Sequence, residues 1–226
     1  MTQIGIAVDS VPAQLPQPIV LPGRMVTLHP FEASQAAALY QGTHGPECES
    51  QWRYMSDGPY PSRAAYDAAF VQKQNSRDPL FWAIVDRASG LPVGQAAYLR
   101  IEPTHRSIEV GSIIFTPALQ RSIGATEAMY LMARHVFNDL GYRRYEWKCN
   151  ALNEPSRRAA LRLGFTFEGI FRQHMIVKGR NRDTAWFSML DSEWPRRQAN
   201  FEQWLAPSNF DAAGRQRLSL SQLNLH

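Results

Sequence analysis

The stretch SIEVGSIIFTPALQRSIGATEAMYLMARHVFNDLGYRRYEWKCNALNEPSRRAALRLGF, residues 107–165, decides the fold. It reads as a strand (Ser107–Phe115), a polar turn, a long helix (about Ala125–Leu140) stopped by Gly141, a second strand (Arg143–Asn150) and a short helix closing on Gly164. The turn Gln120-Arg121-Ser122-Ile123-Gly124-Ala125 joins strand to helix, where unpaired N–H groups and the helix dipole favour an anion. On the opposite shoulder Asn153 and Ser156 open the short helix. Together these features predict a site for a phosphorylated carrier with a reactive group a short distance away.

Outward from this centre the chain alternates strands and single helices. Residues 1–22 hold four prolines and read as an extended arm. Gly23–Pro30 alternates like a strand, Glu32–Gln41 is alanine-rich and helical, and Ser62–Asn75 is a helix with Ser62 as its cap. Between those helices, Thr43–Pro61 is a loop carrying Trp52, Tyr54, Met55 and Tyr60, either packed on itself or walling a substrate. Leu80–Asp86 and Val93–Ile101 form a hairpin; Phe165–Val177 and Thr184–Leu190 form another around a Lys178–Asp183 turn. Residues 191–226 are a helical extension, with Trp194 to Trp204 in a position to cover a sheet edge in a homodimer, and a polar tail. The order predicts an α+β fold on a mixed, mostly antiparallel sheet, with residues 23–190 as the central domain.

Composition narrows the function classes. At 226 residues, 44% hydrophobic and 19% charged, the chain can bury one sizeable core. It has no apolar run of membrane-spanning length and no signal-peptide pattern, so a cytoplasmic location with no membrane partner is the expectation. Cys48 and Cys149 make neither a disulfide framework nor a metal cluster. The net charge is +4, but basic residues are scattered among acids, which argues against a nucleic-acid partner and suits a multiply phosphorylated ligand.

The central stretch resembles the GNAT superfamily of acyl-CoA N-acyltransferases, and within it the RimJ/RimL branch, which acetylates N-terminal amines of ribosomal proteins and includes enzymes acting on small amines. Thr126-Glu127-Ala128 followed by Phe137, then Asn153-x-x-Ser156 and Leu163-Gly164-Phe165, carry the likeness. It implies acetyl-CoA as co-substrate, no metal, and transfer of acetyl to a primary amine in a ternary complex. It also implies a sheet splayed at the cofactor. The diphosphate would lie on Gln120, Arg121, Ser122, Ile123, Gly124, Ala125 and Thr126, and the pantetheine along Ile113, Ile114 and Phe115 and against Asn153. Ser156 would serve the departing thiolate, since Ala160 stands where other members carry a tyrosine acid.

Two departures stand out. Ile123 occupies the position of a family glycine, and a β-branched residue resists positive φ. The glutamate base of RimL-type enzymes corresponds to Met175, so Glu109, flanking the thioester, is the first choice of base, with Glu146 and His174 behind it. An α-amine of pKa about 7.8 is only about 1 kcal/mol from neutral at pH 7, against about 4.6 kcal/mol for a lysine of pKa about 10.4, so a site without a strong base suits a low-pKa amine. The rival expectation is a CoA-binding sensor with little catalysis. The acceptor pocket is expected between the splayed strands, near the 52–60 loop and Trp82, Trp147 and Trp186.

Overall fold

Alternating and continuous apolar runs build one sheet around which the helices pack. In the computed structural model, which describes residues 4–225, that sheet has eight strands. They are β1 (Leu21–Pro22), β2 (Val26–Pro30), β3 (Leu80–Asp86), β4 (Pro92–Glu102), β5 (Ser107–Phe115), β6 (Arg144–Asn150), β7 (Thr166–Val177) and β8 (Arg180–Leu190), in the spatial order β1-β2-β3-β4-β5-β6-β8-β7. The helices are α1 (Ala36–Thr43), α2 (Arg63–Asn75), α3 (Ile123–Arg134), α4 (Glu154–Arg162), α5 (Trp194–Leu205) and α6 (Leu220–Asn224). The fold is α+β, as expected.

Every neighbouring pair is antiparallel except β5 and β6. Their parallel pairing runs from Ser107 opposite Arg144 to Val110 opposite Trp147 and then stops. Beyond Val110, β5 stays bonded to β4 alone, so the sheet opens on one side. A bulge accompanies the opening. Its positive-φ residue is Ser112 (φ 51°), whose carbonyl accepts from Gln95 Nε2 at 3.1 Å. Gly111 is instead the place where a Cβ would meet Leu99 Cδ1 at 2.8 Å.

The helix α3 is buried on almost every residue from Gly124 to Ala133, which is why its sequence is apolar all round. A Cβ on Gly124 would stand 2.8 Å from Val26 Cγ1, so the glycine lets α3 lie close on β2. The buried carboxylate of Glu127 accepts N–H groups from Arg24, Met25 and Val26 at 2.9, 2.6 and 2.9 Å, tying the turn before β2 to α3. After Arg134 the helix widens into a π turn over His135–Asp139 before Gly141 (φ 74°) ends it.

His135 lies beneath that turn, 3% exposed, with Nδ1 3.3 Å from the Tyr98 hydroxyl. Burial pushes its imidazole below the usual 6.5. Folded chains therefore bind fewer protons than unfolded ones below about pH 6.5, and stability should fall as pH drops through that value, by at most about 1.4 kcal/mol per unit for one histidine. Urea midpoints at pH 7.5 and 5.5 should show the loss, and His135→Asn should reduce it.

Four sequence expectations are altered or filled in. The six-residue turn expected after β7 is only Lys178-Gly179, both at positive φ (49° and 71°), a tight hairpin turn that returns residues 180–183 to β8. The 43–61 loop holds 3₁₀ turns over Pro46–Trp52 and plays both expected parts: Trp52 is buried and donates Nε1 to Thr43 O at 2.7 Å, while Tyr54 and Met55 line a cavity. Trp194, Phe201 and Trp204 do not await a partner; they are buried within this chain, Trp194 and Phe201 against Tyr130 and Phe137 of the central helix. The tail gains α6, anchored by buried Leu220.

Candidate active site

The opening between β5 and β6 leads into two joined spaces. One is a cleft of about 1030 Å³ under the N-terminal turn of α3; the other is a cavity of about 170 Å³ between the separating strands. Tyr54, Trp147 and Asn153 line both, so they mark the junction.

At the cleft, the chain turns through Arg121 (φ 58°) and enters α3 at Ile123. The positive φ expected to trouble Ile123 thus falls two residues earlier, at Arg121; Ile123 is an ordinary first helical residue. Ser122 caps the helix, its Oγ accepting from Ala125 N at 3.1 Å, and the Gln120 and Ser122 amides are spent on Thr116 O and Leu119 O. Helix geometry leaves the Ile123 and Gly124 amides as the first-turn donors for an anion. Phe115, Gln120, Arg121, Ser122, Ile123, Ala125, Thr126 and Asn153 all border the cleft. Ile114 and Gly124 turn into the core, so only their backbone can serve it.

The sequence reading missed Arg162. It projects from the same face of α4 as Pro155 and Ala159, a 4-then-3 spacing that would have revealed it. Its Nη1 donates to Thr126 Oγ1 at 3.0 Å and its guanidinium lies 4.9 Å over the Trp204 ring. No carboxylate pairs with it among the described residues, and burial lowers its pKa. Trp204, Phe210 and Gln216 from the C-terminal extension complete this wall. Free amides, a helix N-terminus and a guanidinium without a carboxylate partner are groups suited to an anion.

At the junction, Asn153 caps α4 by accepting from Ser156 N at 3.2 Å, and Ser156 Oγ accepts from Trp147 Nε1 at 3.0 Å. With that lone pair engaged, the serine proton is there to donate, and the Cys149 sulfur beside it is within its reach. Cys149, buried beside it, has its thiol pushed up by burial and suits packing rather than nucleophilic attack.

The cavity floor is ionic. Glu109, 4% exposed, holds Arg100 Nη1 at 2.5 Å and Lys148 Nζ at 3.0 Å, both on Oε2. Its Oε1 carries neither cation and lies on the side of Gly111, where an added Cβ would stand 3.5 Å from it. Lys148 also reaches Glu146 Oε2 at 2.6 Å and sits 3.7 Å from the centre of the Trp186 ring. Ile113 and Met175 line the cavity too. His174 does not; it bonds Thr184 Oγ1 at 2.9 Å and packs on Phe171 and Trp186. Trp82 is likewise remote, fully buried and bonded to Ile19 O. Among the described residues no group of three or more His, Cys, Asp or Glu is placed to hold a metal ion, and no helix is long and apolar enough to cross a membrane.

Comparison with known proteins identifies the fold. The family model described as Acetyltransferase (GNAT) domain matches residues 25–166, more than half of the chain. The structure superposes with a TM-score of 0.93 on a GCN5-related N-acetyltransferase from Brucella melitensis, 46% identical over 96% of this chain and 98% of that one. A protein of Chromobacterium violaceum ATCC 12472 described as a probable acetyltransferase (GNAT family) is 35% identical, with a TM-score of 0.79 over 86% of this chain and 98% of that one. The uncharacterized N-acetyltransferase YoaA of Bacillus subtilis (strain 168) is 29% identical over 125 residues, 55% of this chain and 68% of YoaA. The chain belongs to the GNAT acetyltransferase family and is an acyltransferase enzyme.

Proposed function

We propose that this acetyltransferase takes its acetyl group from acetyl-CoA and delivers it to a primary amine by direct attack in a ternary complex. The observation that carries the reading is the meeting of the cleft under α3 and the cavity between the strands at Trp147 and Asn153, with Ser156 bonded to Trp147 on the cavity side. Acetyl-CoA supplies the activated thioester. The Ile123 and Gly124 amides, the α3 dipole and Arg162 bind its phosphates. The free edge of β5 at residues 111–115 aligns the pantetheine and offers N–H donors to the carbonyl.

Glu109 takes the amine proton on Oε1, directly or through water, as the new C–N bond forms and the C–S bond breaks. Ser156 gives its proton to the departing sulfur and regains one from solvent. The Asn153–Ser156 pair and Leu163-Gly164-Phe165 favour the RimJ/RimL branch.

Arg162 gives a separable test of cofactor binding. Arg162→Met should weaken acetyl-CoA by about tenfold, the worth of roughly one charged hydrogen bond. Acetyl-pantetheine, which has no phosphate, should bind both forms alike in calorimetry.

The function itself is tested by thiol release from acetyl-CoA across a panel of peptides and small amines, with acetylated product identified by mass spectrometry. Binding of acetyl-CoA without thiol release for any acceptor would identify a CoA-sensing module instead.

A further inference from the structure

The cavity that receives the acceptor carries one positive charge too many. Its lining contributes Arg100, Lys148 and Arg182 but a single carboxylate, Glu109. Behind it, Glu146 takes Lys148 and Arg144, and Arg144 also holds Glu168. Four cations thus face three carboxylates, and the unmatched one is Arg182. It reaches the cavity because the tight Lys178-Gly179 turn puts it in β8, opposite Met175. It forms no ion pair among the described residues, and its Nε is shut from solvent with no acceptor.

With Nε shut away, the Nη groups are what the guanidinium can offer a ligand in the cavity it lines. Burial also lowers the Arg182 pKa. The planar fork of arginine matches a carboxylate in two parallel hydrogen bonds. Only one charge is in surplus, which a carboxylate balances and a phosphate dianion overfills.

The cavity is small. Its volume is about 170 Å³, against about 1030 Å³ for the cleft it joins. A polyamine would bring further ammonium groups against Arg100, Lys148 and Arg182.

We propose that the acceptor is a small amine bearing a carboxylate, and that Arg182 grips that carboxylate while the amine faces the thioester. This rests on the acetyl-transfer reading above.

The test is thiol release from acetyl-CoA with matched amines that differ only in a carboxylate or its carboxamide, alongside spermidine, with rates referred to the neutral-amine fraction of each. The expected result is a carboxylate-to-carboxamide ratio of kcat/KM of about tenfold or more, carried in KM. Arg182→Gln should collapse that ratio toward one whatever it does to the absolute rate, and Arg182→Lys, which keeps the charge but not the fork, should restore part of it. A melting curve for each variant separates selectivity from misfolding. Equal rates within the pairs, an unchanged ratio in a folded Arg182→Gln protein, or a preference for spermidine would overturn this inference alone. Thiol release with none of the amines would overturn the transfer reading and this one with it.

Discussion

Replacing Ser156 with alanine is expected to lower kcat by about 100- to 1,000-fold while leaving the affinity for acetyl-CoA nearly unchanged. The asymmetry follows from the local bonding. The helix cap at α4 is made by the Asn153 side chain on the Ser156 backbone N–H, which alanine keeps, so the cleft retains its shape. What alanine loses is the hydroxyl that Trp147 Nε1 holds at 3.0 Å and polarises toward donation. A thiol needs less help to leave as the pH rises past its own pKa of about 8.5, so the deficit should shrink in alkali. Trp147→Phe should lose about tenfold by depriving Ser156 of its donor. A pH-independent deficit accompanied by a raised acetyl-CoA Kd would instead assign Ser156 to helix structure alone.

Lys148→Ala is expected to be the most destabilising change near the site, costing about 3–5 kcal/mol in urea denaturation. The Lys148 side chain is 3% exposed and bridges Glu109 and Glu146, so its loss leaves Glu109 with Arg100 alone and Glu146 with Arg144 alone, two buried carboxylates each short of a cation. Arg100, 47% exposed, can compensate only at the rim, and Arg100→Ala should cost no more than about 1 kcal/mol. Combining Lys148→Met with Glu109→Gln and Glu146→Gln should recover much of the stability, because the desolvated charges disappear together. A loss below about 1 kcal/mol for Lys148→Ala would mean that water reaches the pair.

The two predictions meet at Glu109, which serves both the cavity floor and the proposed proton transfer. Its double use explains why a carboxylate that looks like an ordinary strand residue in sequence carries so much of the site. In Arg143–Asn150 the alternation was visible: Tyr145, Trp147 and Cys149 against Arg144, Glu146 and Lys148. What alternation could not reveal is that both faces are covered, the second by an ionic layer beneath Trp186.

Local signals served the chain well where the chemistry is local. The Ser62 cap, the Gly141 stop and the strand Ser107–Phe115 all follow from neighbouring residues, and the structure has each of them. The misses have a common origin in tertiary contact. Arg182 was assigned to a turn because Lys178–Asp183 is polar and glycine-containing, whereas two consecutive positive-φ residues suffice to reverse the chain. Ile123 looked like an obstacle because the strained position was misplaced by two residues. Trp204, Phe210 and Gln216 cannot be connected with the cleft from sequence, since 70 or more residues and three strands separate them from α3.

The central claim is that the α3 turn holds the diphosphate of coenzyme A and so aims its sulfur at Ser156. A crystal structure of the enzyme with CoA tests it most directly. The account predicts phosphate oxygens within hydrogen-bond distance of the Ile123 and Gly124 amides, and sulfur within about 3.5–4 Å of Ser156 Oγ. CoA bound away from that turn, or a sulfur remote from Ser156 with the diphosphate in place, would contradict it.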